Sequence, residues 1–410
     1  MNGSKIVIVG GGMVAGYAAK QLVELGLKSG DLSILSSDTS VPYERPPLSK
    51  GFLAGRDTED SVRINSESFY NEHGIELRLA CFISSVNPDS KRLTLASGES
   101  FGFDKLIVAT GALPRTLDIP GAKLANVLYL RSLDDSRAIR KCAESAKTAV
   151  VIGGGFIGME VAAVLAQKNI QVTMILNEDR IWKKFFTPQM SLFFESYYAA
   201  RGVRFIKSTS VTALRGEYAV NSAALADGQT IACEMVVAGI GVRPLTDMLA
   251  GSGVEVGDGV IVSEYLDTSR PDILAAGDVA NYYDVLFDKR RRVEHWDNAV
   301  SQGQYCAQAL MGERTPFKHV PYFFSDVFDL SYEYWGDAAG AEEIIHRGDP
   351  SSNSFSVWWL RRQSVVAAFT MNRPEDERAL APVWIESKQP ISATVLADAA
   401  RPISGAAEVS

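Results

Sequence analysis

The stretch IVIVGGGMVAGYAAKQL, residues 6–22, decides the fold. Its first four residues form a continuous apolar run, which is typical of a parallel strand buried on both faces. Three glycines follow as a turn, and the residues after them read as a helix. A second apolar run from Leu32 to Leu35 predicts the next strand. Strand, glycine turn, helix and strand in this order indicate the unit that opens a dinucleotide-binding fold.

The same pattern occurs again in AVVIGGGFIGMEVAAVLAQ, residues 149–167, before a predicted strand from Val172 to Leu176. One glycine motif is weak evidence, but two copies in the same context predict two dinucleotide-binding domains. Glycines at such a turn let the backbone approach a pyrophosphate, which binds at the free N–H groups of the helix N-terminus. The expected contacts are Gly10, Gly12 and Ala15 in the first copy, and Gly153, Gly155, Phe156, Ile157 and Gly158 in the second.

Three carboxylates stand where a dinucleotide needs hydrogen-bond acceptors. Asp38 and Glu178 follow the second strand of each unit, where an acidic residue binds a ribose hydroxyl. Asp278 follows Gly277 after a later predicted strand, and it suits the ribityl chain of a flavin. These positions predict FAD on the first unit and a nicotinamide nucleotide on the second. The alternatives are solvated loop carboxylates for the first two, and a helix cap for Asp278.

Composition narrows the class of protein. The chain has 410 residues, of which 46% are hydrophobic and 22% charged, so two or three globular domains are expected. A net charge of −8 argues against a nucleic-acid partner. We find no apolar run long enough to span a membrane, no signal peptide and no metal-ligand spacing among the histidines and cysteines. A soluble cytoplasmic protein, monomeric or weakly dimeric, is expected.

The predicted domains are a FAD-binding domain, residues 1–115 and 245–320, an NAD(H)-binding domain, residues 116–244, and a C-terminal domain, residues 321–410. The last is predicted to be a small α+β domain, because four short aromatic and β-branched runs precede a predicted helix at residues 375–386. The tail after Ala400 is rich in small residues and is predicted to be frayed.

Several motifs together resemble the pyridine nucleotide-disulfide oxidoreductase superfamily over residues 5–390. They are the two glycine turns, Ala109-Thr110-Gly111, GIGVRP at residues 239–244 and Ala276-Gly277-Asp278. The resemblance implies an α/β fold like that of glutathione reductase, with two Rossmann-like domains, the second inserted in the first. It also implies FAD contacts at Ala109, Thr110, Gly111 and Gly277, and an NAD contact at Gly241.

The segment PYERPPLSK, residues 42–50, is more specific. It resembles flavoprotein ferredoxin reductases of Rieske-type oxygenase systems, monodehydroascorbate reductases and apoptosis-inducing-factor-like proteins. In those families the arginine and lysine of this segment face the flavin, which implies this role for Arg45 and Lys50. The superfamily's redox cysteine pair is missing from this stretch, and Cys81 has no close partner, so dithiol chemistry is excluded.

The resemblance further pairs Lys50 with Glu160, which is predicted to lie at the start of the second nucleotide helix. A cation beside the flavin stabilises the anion formed after hydride transfer, while the carboxylate keeps the lysine in place. The alternative is a surface lysine and a helix-terminal glutamate of little consequence. The remaining expected FAD contacts are Glu294, His295 and Trp296, which open a later helix, and Phe324.

Three functions are considered. The first is reduction of a small acidic [2Fe-2S] ferredoxin that binds transiently, and the second is reduction of the monodehydroascorbate radical. The third is that of an apoptosis-inducing-factor-like redox switch, whose nucleotide-dependent shape matters more than turnover. Several segments resemble the monodehydroascorbate reductases, but Val300 and Phe324 stand where that family has an arginine and a tyrosine for ascorbate. Asp326 follows Ser325 as in the ferredoxin reductases. We therefore expect an NADH-dependent ferredoxin reductase; a basic run at residues 289–292 is either a docking patch or a solvated loop.

Overall fold

The protein is described here from a computed structural model that covers residues 5–407. The chain forms two compact units. The first unit comprises residues up to Pro47, Asp57–Leu113 and Val242–His319, and the second comprises Leu48–Arg56, Pro114–Gly241 and the chain from Val320 onward. Both predicted strand–turn–helix–strand units are confirmed. The predicted division into three domains stays a prediction, and its residues 1–4 and 408–410 lie outside the described range.

The first unit is built on a five-stranded parallel sheet whose central strand is the apolar run of the opening motif. That strand, Ile6–Val9, is buried along its whole length because it pairs with a strand on either side. In spatial order the strands are Ile273–Ala275, Lys105–Val108, Ile6–Val9, Leu32–Leu35 and Glu76–Arg78. The helices that accompany the sheet are Met13–Glu24, Glu67–Glu72 and Trp296–Leu310.

Smaller sheets and short turns complete the first unit. Three strands form an antiparallel sheet, Ile83–Asn87, Arg92–Leu95 and Ser100–Gly102. Four more form a mixed sheet, Val256–Gly257, Gly259–Ile261, Ala280–Asp284 and Lys289–Arg292, in which the two middle strands are parallel. Strands Ala112–Pro114 and Val242–Pro244 pair with each other. Short 3-10 turns occur at Pro46–Ser49, Asp60–Val62, Asp247–Leu249 and Gly277–Val279.

The second unit repeats the parallel sheet with the second glycine motif at its centre. Its strands are, in order, Val203–Ile206, Gln171–Ile175, Thr148–Ile152, Met235–Ala238 and Val127–Leu128. A three-stranded antiparallel sheet follows, with strands Val211–Arg215, Ser222–Leu225 and Thr230–Ala232. The helices are Gly51–Ala54, Leu133–Ala143, Phe156–Gln167 and Pro188–Ala199. Ser132 and Asp135 form a reciprocal capping box at the start of the second of these.

The C-terminal part of this unit is a five-stranded antiparallel sheet, one strand more than the four predicted. The strands are, in spatial order, Tyr322–Val327, Leu330–Gly336, Ser364–Met371, Ser354–Arg361 and Glu343–Asp349. The helices Glu375–Ser387 and Ala393–Ala397 and the 3-10 turns Pro350–Ser352 and Ile403–Ala407 complete it. Within residues 5–407, no helix is both long and apolar enough to cross a membrane.

The prediction of a frayed tail after Ala400 is wrong for the described residues. Ile403 and Ala406 are buried in the turn that ends the described chain. The buried Arg347 guanidinium donates hydrogen bonds to the carbonyl oxygens of Asp398 and Arg401, at 2.6 and 2.7 Å. Composition alone did not reveal this anchor, because its donor lies more than fifty residues upstream.

Candidate functional site

The first glycine turn is shaped by close backbone approach. Gly10 has a φ of +123°, and a Cβ there would lie 2.1 Å from the carbonyl oxygen of Ala109. Gly12 caps the helix Met13–Glu24 without any side-chain hydrogen bond, and the first turn carries no acidic residue. No cap side chain and no acidic residue of the first turn therefore offsets the partial positive charge of the N–H groups at this helix end. That arrangement fits the pyrophosphate of a dinucleotide.

Asp38 and Arg45, both predicted FAD contacts, lie together around a tyrosine. The Tyr43 hydroxyl donates to Asp38 Oδ2 at 2.7 Å, and Arg45 Nη1 donates to the Tyr43 hydroxyl at 2.8 Å. Arg45 Nη2 is 3.8 Å from Asp38 Oδ2, and the guanidinium lies over the Tyr43 ring. The Asp38 carboxylate remains partly accessible, so it can still accept a hydrogen bond from a ribose hydroxyl.

Glu44 is a site residue that the sequence reasoning missed. Its carboxylate accepts hydrogen bonds from the Tyr17 hydroxyl and from the indole N–H of Trp296. Burial, together with this carboxylate, raises the pKa of Tyr17. Trp296, a predicted FAD contact, is thus held in place by its indole N–H. Tyr17 and Trp296 are 27 and 252 residues from Glu44 in the chain, so no local pattern indicated the cluster.

Apart from Lys50 and Phe324, which lie in the second unit, the other predicted FAD residues lie in the first unit, near strand ends and at one helix start. Gly277 has a φ of +77°, and its N–H donates to Gln302 Oε1 at 2.7 Å. Burial lowers the pKa of His295 to about 4, against the opposing charges of Asp278 and Asp297. His295 is therefore a neutral imidazole at pH 7. Ala109 directly follows the strand Lys105–Val108 and precedes Thr110 and Gly111. The Thr110 hydroxyl donates to the Leu245 carbonyl oxygen at 2.6 Å. Glu294 pairs with Arg292 at 2.7 Å.

The basic run at residues 289–292 is a strand, so its interpretation as a solvated loop is wrong. Arg291 Nε lies 2.8 Å from Asp284 Oδ2, and Arg290 Nη1 donates to two backbone carbonyl oxygens at 2.7 Å. Since Arg292 also pairs with Glu294, the three arginines are engaged within their own unit. Their charge is largely used in holding this small sheet together.

The second glycine turn has the same construction, but its helix lies closer to the turn. Gly153 has a φ of +105°, and a Cβ there would lie 2.3 Å from the Gly239 carbonyl oxygen. A Cβ on Gly158 would lie 2.3 Å from the Gly153 carbonyl oxygen, whereas one on Gly155 would meet nothing within 4 Å. The helix Phe156–Gln167 again has no side-chain cap and no acidic residue in its first turn. The space at Gly155 and the uncapped helix end fit a second dinucleotide.

The surroundings of this turn contain the other predicted nicotinamide residues. Glu178 is exposed, three residues beyond the strand Gln171–Ile175. Its neighbour Asp179 pairs with Lys183 at 3.1 Å and with Arg180 at 3.5 Å, and these cations lower the pKa of Asp179. Phe156 packs against Phe323 with ring centroids 4.3 Å apart; Ile157 is partly exposed, and Gly241 has a φ of +96°.

Lys50 and Glu160 form a close ion pair in the second unit. Lys50 Nζ lies 2.6 Å from Glu160 Oε1, with only 14% of the lysine and 6% of the glutamate side chain exposed. Lys50 Nζ also lies 5.6 Å from the centroid of the Phe324 ring. Glu160 is the fifth residue of its helix, so its predicted place at the helix start is wrong. One helical turn inside the end, it reaches the segment that carries Lys50.

Two hydroxyl groups that the sequence reasoning missed also bind Glu160. Ser49 donates to Glu160 Oε2, and Ser325 donates to Glu160 Oε1. Both serines are buried. The only sequence signal was the position of each serine beside a predicted site residue, Lys50 or Phe324. Over residues 5–407 no cluster of three metal-ligating side chains occurs.

Comparisons with known proteins identify the family. The family model described as "Pyridine nucleotide-disulphide oxidoreductase" matches residues 4–303, and the model described as "Reductase C-terminal" matches residues 322–407. The chain is 36% identical over 406 residues to a monodehydroascorbate reductase of Solanum lycopersicum, covering 92% of this chain and 93% of that protein.

Two further similar proteins are named as reductases. The chain is 38% identical over 373 residues to the ferredoxin reductase subunit of the 5,5'-dehydrodivanillate O-demethylase of Sphingobium sp., covering 90% of each protein. The structure of the covalent putidaredoxin reductase–putidaredoxin complex matches with a TM-score of 0.94 and 30% identity, covering 98% of this chain and 97% of that one.

Proposed function

This chain belongs to the pyridine nucleotide-disulphide oxidoreductase family, and on that premise we propose that it is an NADH-dependent ferredoxin reductase. The predicted fold class is confirmed, and the protein is a flavoprotein oxidoreductase that resembles ferredoxin reductases. The proposal adds the nicotinamide donor, the roles of single residues and a [2Fe-2S] ferredoxin as electron acceptor.

The family uses FAD and NAD(P)H. Bound FAD takes two electrons from the nicotinamide and releases them one at a time. We assign its pyrophosphate to the turn at Gly10 and Gly12, its ribose to Asp38 and its ribityl chain to Asp278. We assign the nicotinamide nucleotide to the turn at Gly153 and Gly155. The uncapped helix ends and the space beside Gly12 and Gly155 support both assignments.

The Lys50–Glu160 pair is proposed as the catalytic pair. A fixed ammonium group stabilises negative charge that develops on a nearby acceptor more effectively than mobile water does, because its orientation is settled in advance. Glu160 keeps the ammonium in one place and compensates its charge before the reaction. The 2.6 Å separation and the burial of both side chains support this role.

Glu178 is proposed to select NADH. Its exposed carboxylate can accept a hydrogen bond from a ribose 2′-hydroxyl and repels a 2′-phosphate. Three nearby cations, Arg180, Lys183 and Lys184, would weaken this preference by attracting a phosphate. Two of them, Arg180 and Lys183, pair with Asp179, which reduces that attraction and supports the preference for NADH.

The packing of Val300 is the observation that carries the choice of acceptor. The side chain of Val300 packs against the apolar core of the first unit, so that helix offers no cation at the position where the resembling ascorbate-binding family has an arginine. Phe324, in the second unit, likewise offers no hydroxyl. A carboxyl-like enediol is bound by cations and hydroxyl groups. An iron–sulfur protein needs neither.

Monodehydroascorbate reductase is the second candidate, favoured by 36% identity to such an enzyme over 92% of the chain. Stopped-flow reoxidation of the NADH-reduced protein distinguishes the two. Fast single-electron transfer to a [2Fe-2S] ferredoxin from a panel, and slow transfer to the ascorbate radical, is the expected result. The reverse order of rates would replace the proposal with the second candidate. Comparing kcat/KM for NADH and NADPH tests the donor separately.

A further inference from the structure

The Glu160 carboxylate is held by three donors, and each of its oxygens receives a serine hydroxyl. Oε1 accepts from Lys50 and Ser325, while Oε2 accepts from Ser49. Ser49 and Lys50 come from one short segment, but Ser325 comes from the strand Tyr322–Val327 of the C-terminal sheet. A carboxylate held at both oxygens can neither rotate about its last bond nor move away from the lysine.

Ser325 is well placed to act through Glu160. It is fully buried, with 0% of the residue exposed, and its strand partner in the sheet is Tyr332. Burial and the nearby charge of Glu160 raise the pKa of Tyr332 well above its ordinary value, so this phenol stays neutral. The preceding residue, Phe324, lies by the ammonium group of Lys50. One strand of the C-terminal sheet thus contacts both members of the ion pair.

We propose that Ser325 is a positioning residue: its hydroxyl fixes the orientation of Glu160 and thereby the place of the Lys50 ammonium group. This inference rests on the proposed function for its catalytic consequence, but not for its structural content. A hydroxyl that donates to a carboxylate favours the charged form, which keeps the ion pair intact. The C-terminal sheet therefore contributes to the electron-accepting step through one hydrogen bond.

The test compares Ser325→Ala with a matched control in the same sheet. Ser356 is also fully buried, and it also donates to a buried carboxylate, Glu377 Oε1, at 2.6 Å. Ser356→Ala therefore removes the same kind of hydrogen bond at a distant place, together with the one that Ser356 Oγ accepts from Trp358 Nε1 at 2.9 Å, so its loss of stability is a stringent control. Any effect that comes from general loss of stability appears in both variants, whereas an effect through Glu160 appears only in Ser325→Ala.

The first measurement does not depend on the reaction. Lys50 of the full-length purified protein is acylated with acetic anhydride, and its modification rate is followed by peptide mass spectrometry. Several-fold faster acylation is expected in Ser325→Ala, because Glu160 is then oriented by Ser49 alone and holds the amine less firmly, and no change is expected in Ser356→Ala. Equal rates in Ser325→Ala and the unsubstituted protein would overturn the proposal.

The second measurement is the limiting rate of flavin reduction at saturating NADH. Ser325→Ala is expected to reduce this rate about tenfold, the size of effect typical of one hydrogen bond to a charged group, with little change in NADH affinity. In a Glu160→Gln background the same substitution should have almost no further effect. Equal slowing in both backgrounds would show that Ser325 does not act through Glu160, and would overturn the proposal.

The two measurements separate this inference from the proposed function. A protein that binds no flavin or does not oxidise NADH would contradict the proposed function, while the acylation rates would still decide whether Ser325 positions the ion pair. Faster acylation with unchanged flavin reduction would overturn the catalytic consequence.

Discussion

The two nucleotide helices use the same position in opposite ways. The fifth residue of Met13–Glu24 is Tyr17, which donates a hydrogen bond to Glu44. The fifth residue of Phe156–Gln167 is Glu160, which accepts hydrogen bonds from Ser49 and Lys50. Each contact lies within its own unit. The repeated fold thus offers the same helix position twice, and the residue type decides whether it is a neutral donor or half of an ion pair.

The third position of the two glycine motifs differs for a packing reason. Gly158 lies so close to the turn before it that a Cβ would meet the Gly153 carbonyl oxygen at 2.3 Å. The first motif has Ala15 at this position, and its side chain fits in the buried core. The tight approach there involves the next residue, Gly16, where a Cβ would meet Ile64 Cδ1 at 2.8 Å. The need for glycine shifts by one residue between the two units.

Substitution of the charged contact is expected to have the largest effect. Lys50→Met removes the ammonium group and should slow flavin reduction by NADH about a hundredfold, or ~3 kcal/mol, while FAD remains bound. Tyr17→Phe is the matched change in the first unit. It removes only a hydroxyl from Glu44, and should cost about 1 kcal/mol of unfolding free energy without changing the reduction rate.

Single-turnover stopped-flow with NADH gives the reduction rates, and chemical denaturation gives the stabilities. If NADH reduced the flavin of the Lys50→Met protein at the wild-type rate, the two helix positions would not differ in function. It would also remove the basis for the proposed catalytic pair.

Acid should affect the first unit through His295. Burial lowers its folded pKa to about 4, while an unfolded histidine titrates near 6.5. As the pH falls below ~6.5 the unfolded chain gains a proton that the folded chain does not, so stability decreases down to pH ~4, by at most ~1.4 kcal/mol per pH unit. Above that window His295 makes no pH-dependent contribution.

Denaturation of His295→Gln between pH 4 and 7 tests this point. The variant should lose less stability on acidification than the parent protein. Identical slopes for the parent and His295→Gln would mean that the imidazole titrates normally in the fold.

The third-position difference predicts a smaller, asymmetric effect. Gly158→Ala should destabilise the protein by about 1–3 kcal/mol and weaken NADH binding, because the added methyl group pushes the helix from its turn. Ala15→Gly, the reciprocal change, should cost only about 1 kcal/mol through helix propensity. Denaturation curves and NADH titrations of both variants measure the asymmetry. Equal effects on stability would contradict the packing argument.

The sequence predicted those parts of the structure that depend on local backbone requirements. Gly10 and Gly153 stand at positive φ next to a neighbouring carbonyl, and a short apolar strand before a glycine turn indicates that geometry without further information. The expected proximity of Lys50 and Glu160 came from resemblance, and the structure does bring them together.

Contacts made by single polar side chains across long stretches of chain were not predictable. Ser325 is 165 residues from Glu160, and Trp296 is 252 residues from Glu44. Serine and tryptophan are common in strands and helices for other reasons, so neither residue type marks its partner. The same holds for Arg347 and the tail that it anchors. Only the folded backbone determines which of many equivalent donors reaches a given carboxylate.

Substitution of the cysteines should have the smallest effect on turnover. Two of them lie in each unit. The first unit contains Cys81 and Cys306 and the second Cys142 and Cys233; all four are free, and burial raises the pKa of each thiol, that of Cys233 to about 11. Thiols that stay protonated near neutral pH are poor nucleophiles, and dithiol exchange also needs a second sulfur within reach.

A variant with Cys81 and Cys142 changed to Ser, and the buried Cys233 and Cys306 changed to Ala, should therefore reduce an artificial acceptor with NADH at nearly the parent rate. Alanine is chosen at the two buried positions because a hydroxyl there would lack a partner, and a modest loss of stability from the smaller side chains is expected. The dye-reduction rate and the denaturation midpoint are measured on the same preparation. Loss of turnover in a variant that still unfolds cooperatively would place a thiol on the electron path. That result would contradict direct electron transfer from the flavin to the acceptor.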